Sequence, residues 1–319
     1  MASRLRIHSP AIIYFDAVRR AGSIREAARR LFVASSAVNR QILKLEDEIG
    51  SPLFDRLPGG LKLTAAGEVF ARHVIVVLQD AERARSELDA LKGLRTGHVE
   101  IATVEGVTTD LLPTVIGTLR KQYPKITLGV TTLGSQSIPE ALLSGAADIG
   151  LAFALGRKPE LAQVALGRFR LGALVVPDHP LAGRRDVSFA TCAEYDLILA
   201  KSDLSVFHLL EPAMRRAGID LKGVVQSGSV ELSKELAHRG LGISFQTRIG
   251  LEEELRNGTL VHVPLNDTLN NNGPVFSDLG VYTRAGRSLP VAVDAFIRAL
   301  ADEIGQREAH EADLFSTRG

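Results

Sequence analysis

The chain has 319 residues, 45% apolar and 24% charged, the balance of a soluble globular protein with room for two or three domains. No apolar run approaches the roughly 18 to 20 residues of a membrane span, no signal-peptide core or cleavage site is legible at the amino terminus, and the single cysteine, Cys192, excludes an intramolecular disulfide or a multi-thiolate zinc site. The eight histidines lack ligand spacing as well, so the expectation is a cytoplasmic protein with no membrane contact, no metal and no cofactor.

The net charge of +1 conceals an asymmetry. Residues 1–64 hold eleven Lys/Arg against six Asp/Glu, a surplus of five, which leaves the remainder at −4. A basic head on a mildly acidic body fits a nucleic-acid-binding module joined to something else. Within that head, Ile12, Phe15 and Val18 predict a first helix ending at Gly22. Ser23 with Glu26 three residues on reads as a capping box opening a second helix, whose stripe is Ile24, Ala27, Ala28 and Leu31. After a turn at Phe32–Ala34, a third helix from about Ser35 to Ile49 closes on Gly50, with Val38, Ile42, Leu45 and Ile49 on the inward face.

The outward face of that third helix carries Ser36, Asn39, Arg40 and Lys44, with Ser35 at its start. Arg can fork onto guanine and Asn onto adenine, so this is a face suited to the major groove, although a solvated helix surface has the same composition. Leu53–Arg56 and Leu61–Thr64 then alternate around Pro58-Gly59-Gly60, predicting a hairpin that places Arg56 and Lys62 on a basic wing. Three short helices plus a wing make a winged helix-turn-helix. From Ala65 to about Leu94, Phe70, Val74, Val77, Ala81, Ala84, Leu88 and Leu91 alternate spacings of four and three, the seam of a helix seeking a partner helix. A hinge is expected at Gly93, Thr96 and Gly97.

These motifs together resemble the LysR-type transcriptional regulators. The resemblance rests on Gly22-Ser23-Ile24 with Ala27-Ala28, Ser36 through Ile42 with Leu45-Glu46, Ile49-Gly50 with Leu53-Phe54 and Arg56, and Leu63 through Gly67. Ala34, Ser35 and Asn39 depart from a family pattern that often has Ser and Gln before this helix and Ser within it. The resemblance continues through Leu112-Pro113, Tyr123-Pro124, His179 through Ala182 and Gly240 through Ile243. It implies an α/β fold: an N-terminal winged helix-turn-helix (1–64), a long linker helix for dimerisation (65–94), and a two-subdomain periplasmic-binding-protein-like effector domain (95–319). Subdomain I would span about 95–165 and 275–305, and subdomain II about 166–274. Crossings are expected near Gln163–Phe169 and Pro264–Pro274.

The residues past 95 alternate strand and helix patterns, which predicts a parallel sheet covered on both faces. Ligands of such sheets bind at strand carboxyl ends. By resemblance the effector loops carry Glu105, Val107, Thr108 and Ser135 in the first half and Lys201, Ser202, Val230 and Thr247 in the second. The function implied is sequence-specific transcriptional regulation responding to a small metabolite. Partners would be double-stranded DNA, the effector, a second copy through the linker helix, a homotetramer of the kind the family commonly forms, and RNA polymerase. The alternative is a solute-binding or enzymatic α/β protein with an incidental winged-helix module, but no nucleophile elbow, phosphate loop or histidine paired by spacing supports catalysis.

Overall fold

The computed structural model describes residues 9–91, 96–216, 218, 225–267 and 273–316. The chain divides into two compact units: an amino-terminal head extending through the long helix, with Arg287–Val291, and the remaining body. The head contains α1 (Pro10–Ala21), α2 (Ile24–Leu31), α3 (Ser35–Ile49), a hairpin of β1 (Phe54–Leu57) and β2 (Gly60–Leu63), and α4 (Ala65–Leu91). Ser9 caps α1 ahead of Pro10, and Gly22 ends it at φ 62. Ser23 Oγ accepts the Glu26 N–H at 3.5 Å, but the other half of the expected capping box is not made. Arg29 and Arg30, three and four residues on, take the Glu26 carboxylate instead.

Phe15, Val18, Ala27, Ala28, Val38, Ile42 and Leu45 form the head's core. The two alanines keep α2 close to its neighbours. Ile49, expected to face inward, is 40% exposed, because the last turn before Gly50 lies at the rim of that core. The start of α4 is pinned to the wing: Thr64 Oγ1 donates to the Pro52 carbonyl at 2.7 Å and accepts the Gly67 N–H at 2.9 Å. A Cβ at Gly67 would stand 2.1 Å from the Leu53 carbonyl oxygen, so only glycine permits this approach. Along α4 the predicted seam is divided. Val74 is buried in the head's own core and Phe70 meets Phe15 edge-on at 4.9 Å, whereas Leu88 is 48% exposed. The Leu91 side chain and Gly93 lie outside the described residues.

The body begins with β3 (Gly97–Thr103), α5 (Leu111–Gln122), β4 (Ile126–Thr132), α6 (Ile138–Leu143), β5 (Ile149–Phe153) and β6 (Leu161–Arg170). It continues with β7 (Gly172–Val175), α7 (Phe189–Cys192), β8 (Ile198–Ala200), α8 (Ser205–Arg216), β9 (Val225–Ser227), α9 (Val230–His238) and β10 (Ser244–Gln246). The last elements are α10 (Glu252–Asn257), β11 (Val261–Pro264), β12 (Phe276–Arg284) and α11 (Val291–Ser316). The first sheet has the order β4-β3-β5-β12-β6, with β3 parallel to β4 and β5. It is not the all-parallel sheet expected, since β12 returns antiparallel between β5 and β6. The second half is built on β10-β7-β11, antiparallel throughout, with the parallel pair β8-β9 joined by a bridge from Leu197 to Ile243.

The expected crossing at Gln163–Phe169 is instead strand β6, paired with β12 along its length save a bulge at Val164, so the chain leaves the first sheet only at Arg170–Gly172. There the Leu171 N–H donates to Val275 and the Leu171 carbonyl accepts from Leu265, which ties the outgoing and returning chains together. Of the second expected crossing, Asn266 bridges Pro274, and Asn270–Asn272 lie outside the described residues. Cys192 is fully buried among Leu171, Phe189 and Leu197, and burial pushes its thiol up to about 12, with Asp267 adding to the shift.

His262 on β11 sets a pH dependence. Burial, reinforced by the Arg248 charge, drives its imidazole from the ordinary 6.5 to about 3, while Nε2 stands 3.1 Å from the Gln246 carbonyl. Below pH 6.5 the unfolded chain therefore takes up a proton that the fold refuses. Stability should fall by about 1.4 kcal/mol per pH unit from this residue as pH drops through that window. His262→Gln lacks this slope, so denaturant titrations should show the gap between wild type and variant narrowing with acidification. A constant gap from pH 7 to pH 5 would mean that His262 titrates normally.

Candidate DNA-reading face and effector cleft

In α3 the buried Val38, Ile42 and Leu45 leave Ser35, Ser36, Arg40 and Lys44 exposed, with Asn39 half-buried at the edge of that face. Ala34 supplies no side-chain cap to this helix, so its first amides remain available to an anion. Arg56 on the wing donates to Asn39 Oδ1 at 3.4 Å, a link between wing and helix that sequence spacing does not reveal. Lys44 is 3.6 Å from Glu48, and Lys62 is exposed opposite Asp55 in the hairpin register. A further residue positions the two elements. Glu46 turns its carboxylate into the head, where it accepts the N–H groups of Leu53 at 2.7 Å and Phe54 at 3.2 Å. That bond fixes where the wing leaves the end of α3, and an acidic residue in a helix otherwise reads only as surface.

In the body, the segments after β3, β4, β8, β9 and β10 carry the expected effector residues. Glu105 begins a short turn over Glu105–Val107. Its carboxylate reaches across to the second half, where Oε1 accepts the Ser229 hydroxyl at 2.9 Å and Oε2 accepts the Val230 N–H at 2.6 Å. Glu105 and Val230 are thus brought together. Thr108 donates its hydroxyl to the Glu105 carbonyl at 2.6 Å. Val107 is fully buried, and Ser135 and Thr247 are also buried, whereas Lys201 and Ser202 are exposed. The Lys201 N–H donates to the Ser227 carbonyl at 2.9 Å, which holds that loop beside the turn leading into α9.

A cavity of about 520 Å³ lies elsewhere in the body, between α10, α11 and the end of β6, lined by residues including Phe169, Arg248, Glu252, Arg307 and His310. Arg307 joins Asp110, Glu252 and Glu303. Burial lifts the Glu252 carboxyl to about 6 against the pull of Arg307. The part of α11 beyond residue 305, the expected end of subdomain I, also has a role: Glu308 and Glu311 accept the backbone N–H groups of Arg168 and Arg170, bracing β6 where the chain leaves the first sheet. Among the described residues no helix is long and apolar enough to cross a membrane and no His/Cys/Asp/Glu group could hold a metal ion.

Residues 10–68 match the bacterial regulatory helix-turn-helix protein model of the lysR family, and residues 92–305 match the LysR substrate binding domain. The chain is 30% identical over 290 residues to the HTH-type transcriptional regulator CbbR of Rhodospirillum rubrum, covering 90% of this chain and 94% of that one. Among solved structures, a full-length OxyR variant of Pseudomonas aeruginosa superposes with a TM-score of 0.73 at 20% identity, over 93% of this chain and 95% of that one. Full-length CbnR complexed with its target DNA gives 0.53 at 21% identity, over 92% and 98%. The matched models thus describe a helix-turn-helix followed by a substrate binding domain. The chain belongs to the LysR family, and it is a DNA-binding transcriptional regulator with an effector-binding domain rather than an enzyme.

Proposed function

We propose that α3 enters the major groove of operator DNA, with Asn39 and Arg40 reading base edges and Ser35, Ser36, Lys44, Arg56 and Lys62 contacting bases or phosphates. The observation that carries this reading is the division of α3 itself: Val38, Ile42 and Leu45 are buried, and the side chains left to meet a groove along the Ser36–Lys44 face are mainly polar or basic. Residues 1–64 form the DNA-binding domain, 65–94 the dimerisation helix and 95–319 the effector domain, whose halves meet near residue 170. The dimer, or a tetramer built from it, works in the cytoplasm on promoter DNA and through it on RNA polymerase.

A small polar metabolite binds between the halves of the body, at loops bearing Glu105, Val107, Thr108, Ser135, Lys201, Ser202, Val230 and Thr247. It acts by favouring one of two arrangements of those halves, which requires contacts on both. The buried, inert thiol of Cys192 supports a bound effector rather than thiol chemistry as the input. Footprinting on the DNA upstream of the chain's own gene, with and without candidate metabolites, tests both parts. A metabolite that changes the footprint should do so less in Ser202→Ala, and an unchanged response there together with Thr247→Val would move the effector site out of this cleft.

Lys62→Ala separates the two kinds of DNA contact. As a phosphate contact on the wing it should weaken operator and random DNA about equally and reduce the salt slope of binding by about 1. Loss confined to the operator in salt-dependent gel shifts would make Lys62 a base reader.

A further inference from the structure

The junction between the two halves of the body already contains an anion. Glu105 extends from the end of β3 in the first half, and its two carboxylate oxygens close on Ser229 Oγ and the Val230 N–H at the amino end of α9 in the second. The Val230 N–H is the first amide of a nine-residue helix and Ser229 is its cap, at an end where unpaired N–H groups and the helix dipole favour negative charge. Ser229 is also the cap of α9, accepting the Leu232 N–H at 3.1 Å, and its own N–H is held by Ser227 Oγ at 3.0 Å. The hydroxyl and the first amide of the seat are thus both engaged.

Neighbouring contacts join the same two halves. A Cβ at Gly250 would stand 2.4 Å from the Gly106 carbonyl oxygen, and Thr109 Oγ1 donates to the Gly250 carbonyl at 3.4 Å. The Asp203 carboxylate and the Lys201 stem both lie against Gly228, 3.4 and 3.8 Å from where a Cβ would be, so a second carboxylate flanks the turn into α9 with a lysine beside it. An incoming carboxylate would find the Ser229 hydroxyl and the Val230 N–H already taken by Glu105, whose charge would repel it.

We propose that Glu105 is a built-in ligand: its carboxylate occupies the anion seat of α9, latches the two halves together, and restricts the effector to neutral or cationic polar molecules at that end of the cleft. The inference deepens the reading of the cleft as the effector site. It makes Glu105 a specificity-determining residue, because discrimination comes from an unfavourable group placed against the wrong ligand as much as from contacts to the right one.

The test uses the full chain and acetate as the probe, with chloride at matched ionic strength as control. Glu105→Ala empties the seat, so acetate should raise its melting temperature saturably, by roughly 2–4 °C, and leave wild type unmoved. Adding Ser229→Ala should abolish that response. Hydrogen exchange provides a second readout on Glu105→Gln, which keeps the size but loses one acceptor: exchange at the peptide containing Val230 should accelerate while the head is unaffected. Equal acetate responses in wild type and Glu105→Ala, or no response in either with unchanged exchange in Glu105→Gln, would overturn the latch. The two proposals fail separately. If acetate fills the emptied seat but Ser202→Ala and Thr247→Val leave effector response intact, the latch stands and the effector binds elsewhere.

Discussion

Asn39→Ala and Arg40→Ala should each weaken operator binding by about 1–3 kcal/mol, the cost of one lost bidentate base contact, while binding to random DNA changes little. Neither side chain belongs to the head's core, which is built from Val38, Ile42 and Leu45 on the other side of the helix, so circular dichroism and melting should be near wild type. The two variants should nevertheless differ. Arg40 is exposed, but Asn39 holds the wing through Arg56 at 3.4 Å, so removing it also frees Arg56. A double-mutant cycle between Asn39→Ala and Arg56→Ala should therefore show coupling in operator affinity, whereas Arg40→Ala and Arg56→Ala should add. Gel-shift titrations in which both single variants bind operator as tightly as wild type would remove α3 from the groove.

The elements of the head are legible because each has a local cause. Gly22 and Gly50 end their helices in the left-handed region, Ser9, Ser23 and Thr64 cap, and the apolar stripes repeat at helical spacing. What sequence reasoning loses depends on partners elsewhere. The spacing of Glu26 predicts a capping box, yet the two arginines one turn later attract its carboxylate more strongly than a single backbone N–H does. The mixed sheet is hidden because β12 is buried on both faces from Leu279 to Thr283, as a parallel strand would be, and its direction is set by the return of the chain from the second half. Helix α8 escapes a sequence reading for a local reason: Pro212 inside it removes one N–H and argues against a helix on propensity alone, and the burial of Leu210, Ala213 and Met214 in the second core overrides that.

The candidate site divides along the same line. The outward residues of α3 are readable from periodicity, since a helix with one apolar face must present the other. The cleft is readable only as a set of strand ends, and which residues meet there is not. Glu105 and Val230 are 125 positions apart, and nothing in either local sequence announces that a carboxylate from one will seat on the first amide of the other. Glu46, bonding to Leu53 and Phe54, and Glu311, bonding to Arg170, belong to the same class: acids that look like surface and serve as fixed acceptors for backbone N–H groups.

Leu88→Glu is expected to convert the assembly to monomers and to reduce operator affinity without altering any residue near DNA. The seven-residue pattern of α4 splits into a part that folds the head and a part left over. Val74 is fully buried within the head, but Leu88, about four turns on along the same stripe, is 48% exposed, which leaves it open to the partner helix proposed above. Each half-exposed Leu88 covered by a second α4 would gain about 1 kcal/mol, and twofold symmetry applies the substitution to both copies, setting like charges against each other. Because a dimeric helix-turn-helix protein holds two half-sites at once, losing the dimer should cost operator affinity far more than it costs the affinity of one head for one half-site. Val74→Glu provides the contrast, since it should unfold the head itself. Sedimentation showing Leu88→Glu as a well-folded monomer with weakened operator binding would establish α4 as the dimer seam; an unchanged oligomer would assign the exposed stripe to some other surface.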